Sequence, residues 1–96
     1  MASPEEGNRI IITVLGHDRV GIIAMVSNIL ADHDINILDI SQTILQGFFT
    51  MVMVVDVSRS KIDVKELREI LGGKGLEMGL QITAQHEDLF KYMHRI

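Results

Sequence analysis

The stretch Ile35-Asn36-Ile37-Leu38-Asp39-Ile40-Ser41-Gln42-Thr43-Ile44-Leu45-Gln46-Gly47-Phe48-Phe49-Thr50-Met51-Val52-Met53-Val54-Val55-Asp56-Val57 decides the fold. Two runs rich in β-branched and aromatic residues are separated only by Gln46-Gly47, and such runs read as strands. Glycine suits the positive φ of a tight turn, and a connection this short leaves no geometry but an antiparallel hairpin. In the second run Phe49, Met51, Met53, Val55 and Val57 share one face, opposite Phe48, Thr50, Val52 and Val54. In the first run Asp39 and Ser41 share a face, opposite Leu38, Ile40 and Ile44. Polar residues placed in this way suit an edge strand, where they discourage aggregation.

On the N-terminal side of the hairpin, residues 9–15 are rich in Ile and Val and read as a strand, which Gly16-His17-Asp18 breaks. From Val20 the period becomes helical. Ile22, Ile23, Val26, Ile29 and Leu30 fall on one face. Asp18 is placed to cap that helix through its carboxylate, and the helix is expected to end near His33-Asp34. Beyond the hairpin and a polar loop at 58–61, Asp63 and Glu66 have the spacing of a capping box. Val64, Leu67, Ile70 and Leu71 then share a helix face that Gly72-Gly73-Lys74-Gly75 is expected to end. Residues 80–85 alternate, with Leu80, Ile82 and Ala84 inward, as a strand with one solvated face does.

The order is β-α-β-β-α-β, an α+β ferredoxin-like sandwich: a four-stranded antiparallel sheet with two helices on one face. After His86, Leu89, Phe90, Met93 and Ile96 recur as one face of a short C-terminal helix that is marginal alone and must dock. The expected division is a flexible tail at 1–8, the domain at 9–85 and the amphipathic helix at 86–96.

A chain of 96 residues is one domain of limited core, yet 47% of its residues are apolar. The excess implies a homodimer or higher homo-oligomer. Ile11, Leu15, Phe48, Val52 and Val54 fall on the sheet face away from the helices, and an apolar patch there marks an association surface. Either the C-terminal helix folds over it within the chain or a second subunit covers it; both hold if the helix is exchanged between protomers.

The absence of cysteine excludes disulfides and thiolate chemistry. A net charge of −4 without a basic run, and only four aromatic residues, argue against direct nucleic-acid binding. No apolar stretch reaches the roughly 18 residues of a membrane span, and the start of the chain is polar and acidic rather than a signal peptide. A cytoplasmic location and no membrane partner are therefore expected. His17, His33, His86 and His94 lie on separate elements, without metal-ligand spacing. Gly73-Lys74-Gly75 lacks the spacing of a phosphate loop. No cofactor, metal or catalytic set is expected.

Gly16-His17-Asp18-Arg19-Val20-Gly21 leads into a helix N-terminus, whose free amides and dipole favour an anion such as a ligand carboxylate. The alternative is a capped turn with no ligand. Asn36, entering the second strand, either hydrogen-bonds a ligand or forms an Asx turn.

Gly-His-Asp-Arg-Val-Gly-Ile-Ile at 16–23, followed by Asn-Ile-Leu-Asp-Ile-Ser-Gln at 36–42, resembles an ACT domain, and especially the small ACT proteins related to the glycine-cleavage-system transcriptional repressor. The resemblance covers about residues 9–90. It implies paired domains that bind an amino acid between subunits, with Asp18, Arg19, Val20 and Gly21 in the loop and Asn36 on the strand as ligand-binding residues. Many such domains have proline where Val20 stands, and some bind no ligand. The expected function is regulatory and non-catalytic: a small amino-acid-like ligand at a homodimer interface, with the signal passed to a separate effector protein. The alternative is a ligand-free interaction or oligomerisation module.

Overall fold

The computed structural model describes residues 8–89. Its elements are β1 (Arg9–His17), α1 (Ile22–Asp32), β2 (Asn36–Leu45), β3 (Phe48–Asp56), α2 (Val64–Met78) and β4 (Leu80–His86). The sheet order is β2-β3-β1-β4, and every neighbouring pair is antiparallel. This is the ferredoxin-like sandwich expected from the hairpin and its flanking helices. The expected tail and C-terminal helix lie outside the described residues except at their inner ends. Asn8 belongs to the sheet margin, its carbonyl accepting from the Val57 amide at 2.9 Å, and residues 87–89 are helical.

Alternation sets the core. Ile10, Ile12 and Val14 of β1 and Phe49, Met51, Met53 and Val55 of β3 are buried against Val26 and Leu30 of α1 and Leu67 and Leu71 of α2. At roughly 1.5–3 kcal/mol for each large apolar side chain taken out of water, this layer is the main stabilising term. The hairpin turn has positive φ at both central residues, Gln46 (53°) and Gly47 (80°), the twist that a two-residue loop requires.

Three expectations need correction. β1 does not break at Gly16; it continues to His17, with Gly16 opposite Phe49 on one side and Leu80 on the other. A Cβ on Gly16 would stand 2.7 Å from Leu80 Cδ2 and 3.2 Å from the Gly79 carbonyl, so this glycine permits close strand packing rather than a turn. Asp18 does not cap α1. The N-cap is Gly21, at φ 93°, and no side chain bonds to it. Helix α2 does not stop at Gly72 but runs to Met78, where Gly79 closes it at φ 71°. Local propensity is overridden because Gly75 is buried against β4, a Cβ there meeting the Leu80 carbonyl at 3.0 Å and Ile82 at 3.1 Å. The Asp63 cap is present, its Oδ1 accepting from the Glu66 amide at 2.8 Å.

A prediction follows from the run-through helix. Gly73 is exposed, and a Cβ there meets nothing within 4 Å. Gly73→Ala is expected to raise stability by about 0.5–1 kcal/mol, a rise of about 2–8 °C in Tm for a domain this size. An unchanged or lowered melting temperature would contradict the helical assignment of 72–75.

Candidate functional site

Two helices cannot cover four strands equally, and among the described residues the most exposed strand is β2. It is exposed along its length apart from the half-buried Ile37. Register puts Ile40, Gln42 and Ile44 on the helix side, opposite Met53, Met51 and Phe49, yet Ile40 and Ile44 are 42% and 54% exposed. Asp39 and Ser41 share the other side, as alternation predicts, and a bulge falls at Leu38 between Ile37 and Asp39.

Between this bare strand and the start of α1 lies a groove of about 220 Å³, lined by Asp18, Arg19, Gly21, Ile22, Ile23, Ala24, Gln42, Ile44 and Phe49. The position of its loop is fixed by the hairpin turn: the Asp18 amide donates to the Gly47 carbonyl at 2.8 Å. The left-handed Gly21 turns the chain into the helix. The first amides of any α-helix have no intrahelical partner. In α2 one of them is served by Asp63, whereas α1 has neither a side-chain cap nor an acidic residue in its first turn. A cap contributes about 1 kcal/mol. The amides of Ile22, Ile23 and Ala24 thus enter the groove wall without one, carrying the positive end of the helix dipole.

The loop residues that sequence singled out divide. Asp18, Arg19 and Gly21 line the groove. Val20 is almost fully exposed and stands outside it. Arg19 also reaches the far helix, its Nη1 donating to the Met78 carbonyl at 3.4 Å. Asn36 is not brought to this place. It lies at the opposite end of β2, in an open depression of about 790 Å³ with Asp34, Asp56 and Arg59. Ile44 lies eight positions further along the strand, about 26 Å at roughly 3.3 Å per residue. One small ligand cannot touch both ends within a single chain. Sequence reasoning passed over Gln42 and Ile44 as groove residues; their signal was alternation along β2, but which face lacked a helix was not written there.

Among the described residues, no group of three or more His, Asp or Glu gathers as a metal site, and no helix is long and apolar enough to cross a membrane.

Comparison with known proteins places this geometry. A family model described as an ACT domain matches residues 8–85. A UPF0237 protein of Methanocaldococcus jannaschii is 51% identical over 89 residues, covering 93% of this chain and 99% of that protein. The solved ACT domain protein from Streptococcus pneumoniae is 41% identical, with a TM-score of 0.75 over 86% of this chain and 93% of that one. A structure described as a glycine cleavage system transcriptional repressor shares the fold, with a TM-score of 0.68 and 23% identity over 80% of this chain and 44% of that one.

Proposed function

We propose that this chain, which belongs to the ACT domain family, is a non-catalytic regulatory module that binds a small amino-acid-like ligand between two copies of itself. The observation that carries the reading is the uncapped end of α1 opening into a groove beside β2, the most exposed strand among the described residues. The ligand's carboxylate sits on the amides of the α1 first turn, where free N–H groups and the helix dipole favour an anion. The groove is smaller than the roughly 300–1,000 Å³ of sites for drug-sized ligands, in keeping with a small molecule.

A second copy supplies what one chain lacks. A bare strand with exposed Ile40 and Ile44 is a template for pairing with another strand. A two-fold axis normal to the sheet would pair β2 with its copy antiparallel and keep all helices on one face. Full overlap of the ten-residue strands sets Asn36 beside the partner's Leu45, the end of the strand at which the groove opens. The ligand's ammonium group then meets the partner subunit's Asn36 or a strand carbonyl. Binding across the seam favours the paired state by its differential affinity, and a separate effector protein reads that state.

Thermal shift against the twenty amino acids tests this. At 100 times its Kd the cognate ligand is expected to add about 2.7 kcal/mol, several degrees for a domain this size. Asn36→Ala should shrink the shift while leaving the unliganded stability within about 0.5 kcal/mol of the parent, as for other surface changes. Silence across the panel would instead favour the ligand-free oligomerisation module.

A further inference from the structure

The sheet has a second edge. β4 pairs with β1 on one side, and among the described residues no strand lies on the other. Which of its backbone groups face outward follows from the hairpin. The two-residue turn makes Leu45 and Phe48 a hydrogen-bonded pair, and in an antiparallel ladder such pairs alternate with non-bonded ones. The even residues of β3 therefore bond to β2 and the odd ones to β1. The Val57 amide agrees with this, donating to the Asn8 carbonyl at 2.9 Å. Opposite the odd residues of β3 stand the even residues of β1, from Ile10 beside Val55 to Gly16 beside Phe49. The odd residues of β1 are left to bond to β4, where they meet Gln81, Thr83 and Gln85. The backbone N–H and C=O groups of Leu80, Ile82, Ala84 and His86 thus point to the open edge.

This edge is self-complementary. From Leu80 to Gln85 it has no charged residue and no proline, two features that commonly protect an edge. A two-fold axis through Thr83 would set that residue beside its own copy, Gln81 beside the partner's Gln85 and Ile82 beside the partner's Ala84. Threonine meets threonine, amide meets amide, a large apolar side chain meets a small one, and no like charges are opposed. In that register the Ala84 carbonyl is an acceptor that the second strand needs. It is already taken. Arg68 reaches across from α2 and donates its Nε to this carbonyl at 3.0 Å. A hydrogen bond from an ionised donor is roughly twice as strong as one between neutral groups, so the guanidinium outcompetes an incoming strand amide.

We propose that the β4 edge is a second self-pairing surface for another copy of this chain, and that Arg68 holds it closed. The closed edge does not depend on the pairing proposed for β2. Combined with that pairing, it ends assembly at two copies, where two open edges would let copies add without limit.

The chain has no cysteine, so a single one reports contact without background. Residues facing each other in a non-hydrogen-bonded pair have Cα atoms about 4.5 Å apart, within disulfide range. Thr83→Cys, exposed on β4, is oxidised and run on a non-reducing gel, alone and combined with Arg68→Met, which keeps an apolar stem but has no donor. The combined variant is expected to give about tenfold more disulfide-linked dimer than Thr83→Cys alone, the change in an association constant that one charge-assisted hydrogen bond makes. Arg68→Lys should keep the yield near that of Thr83→Cys alone, because a charged donor remains. Lys65→Cys, exposed on α2, should give little linked dimer in either background. Arg68→Ala serves the same comparison should the methionine variant fail to fold. Equal yields with and without the Arg68 change would show that Arg68 guards nothing, and no linked dimer from either chain would show that the edge does not pair with itself. Each result overturns the proposal, as would a Lys65→Cys yield equal to that of Thr83→Cys in the Arg68→Met background.

Discussion

If the proposed β2 pairing holds, Ile40→Lys combined with Ile44→Lys is expected to leave the chain monomeric and to erase any ligand-induced thermal shift. Both side chains lie on the helix side of the bare strand and are about half exposed in one chain. Covering the remaining half of an isoleucine contributes about 1 kcal/mol. A two-fold seam counts each residue twice, so the four isoleucines account for about 4 kcal/mol, roughly a thousandfold in the dimerisation constant. Four lysines on the same side of one seam add repulsion. Because neither residue is part of the core cluster, the fold should survive, which circular dichroism would verify. Sedimentation velocity over a range of concentrations reads the outcome. A variant that still sediments as a dimer would remove the β2 edge from the interface, and the shared ligand groove with it.

Gly16→Val is expected to cost about 3 kcal/mol, measured as a lowered urea midpoint, since overpacking a tight site costs about 1–3 kcal/mol or more. The nearest atom, Leu80 Cδ2, is the end of a flexible side chain and can move. The Gly79 carbonyl at 3.2 Å, at the cap of α2, and Leu80 Cα at 3.3 Å, in the β1–β4 ladder, are backbone and cannot move as easily. Such a loss is a large fraction of the 5–15 kcal/mol typical of a folded domain. The change also separates roles. Gly16 lines β4 rather than the groove, so whatever folds should bind as before. A variant of parental stability would return Gly16 to the loop.

Where neighbouring residues decide the outcome, sequence was sufficient. Alternation in β1, β3 and β4 separated the buried side from the other, because successive strand side chains point to opposite faces. The two-residue loop at Gln46-Gly47 required the hairpin, and the Asp63 carboxylate reaches an amide only three residues away. The glycines misled wherever a distant chain set their role. Gly16 and Gly75 look like punctuation, yet each is a gap for β4 to approach. The Asp18 cap failed for a related reason: its loop is tied to the hairpin turn, which lies far along the chain.

The candidate site divides in the same way. Its loop residues could be singled out from glycine spacing ahead of a helical period. That Asn36 stands a strand's length from them, that α1 starts without a cap, and that β2 is left bare are products of packing. Local patterns report the backbone geometry that adjacent side chains enforce. Which strand goes uncovered depends on how two helices divide four strands between them, a long-range outcome that no window of sequence contains.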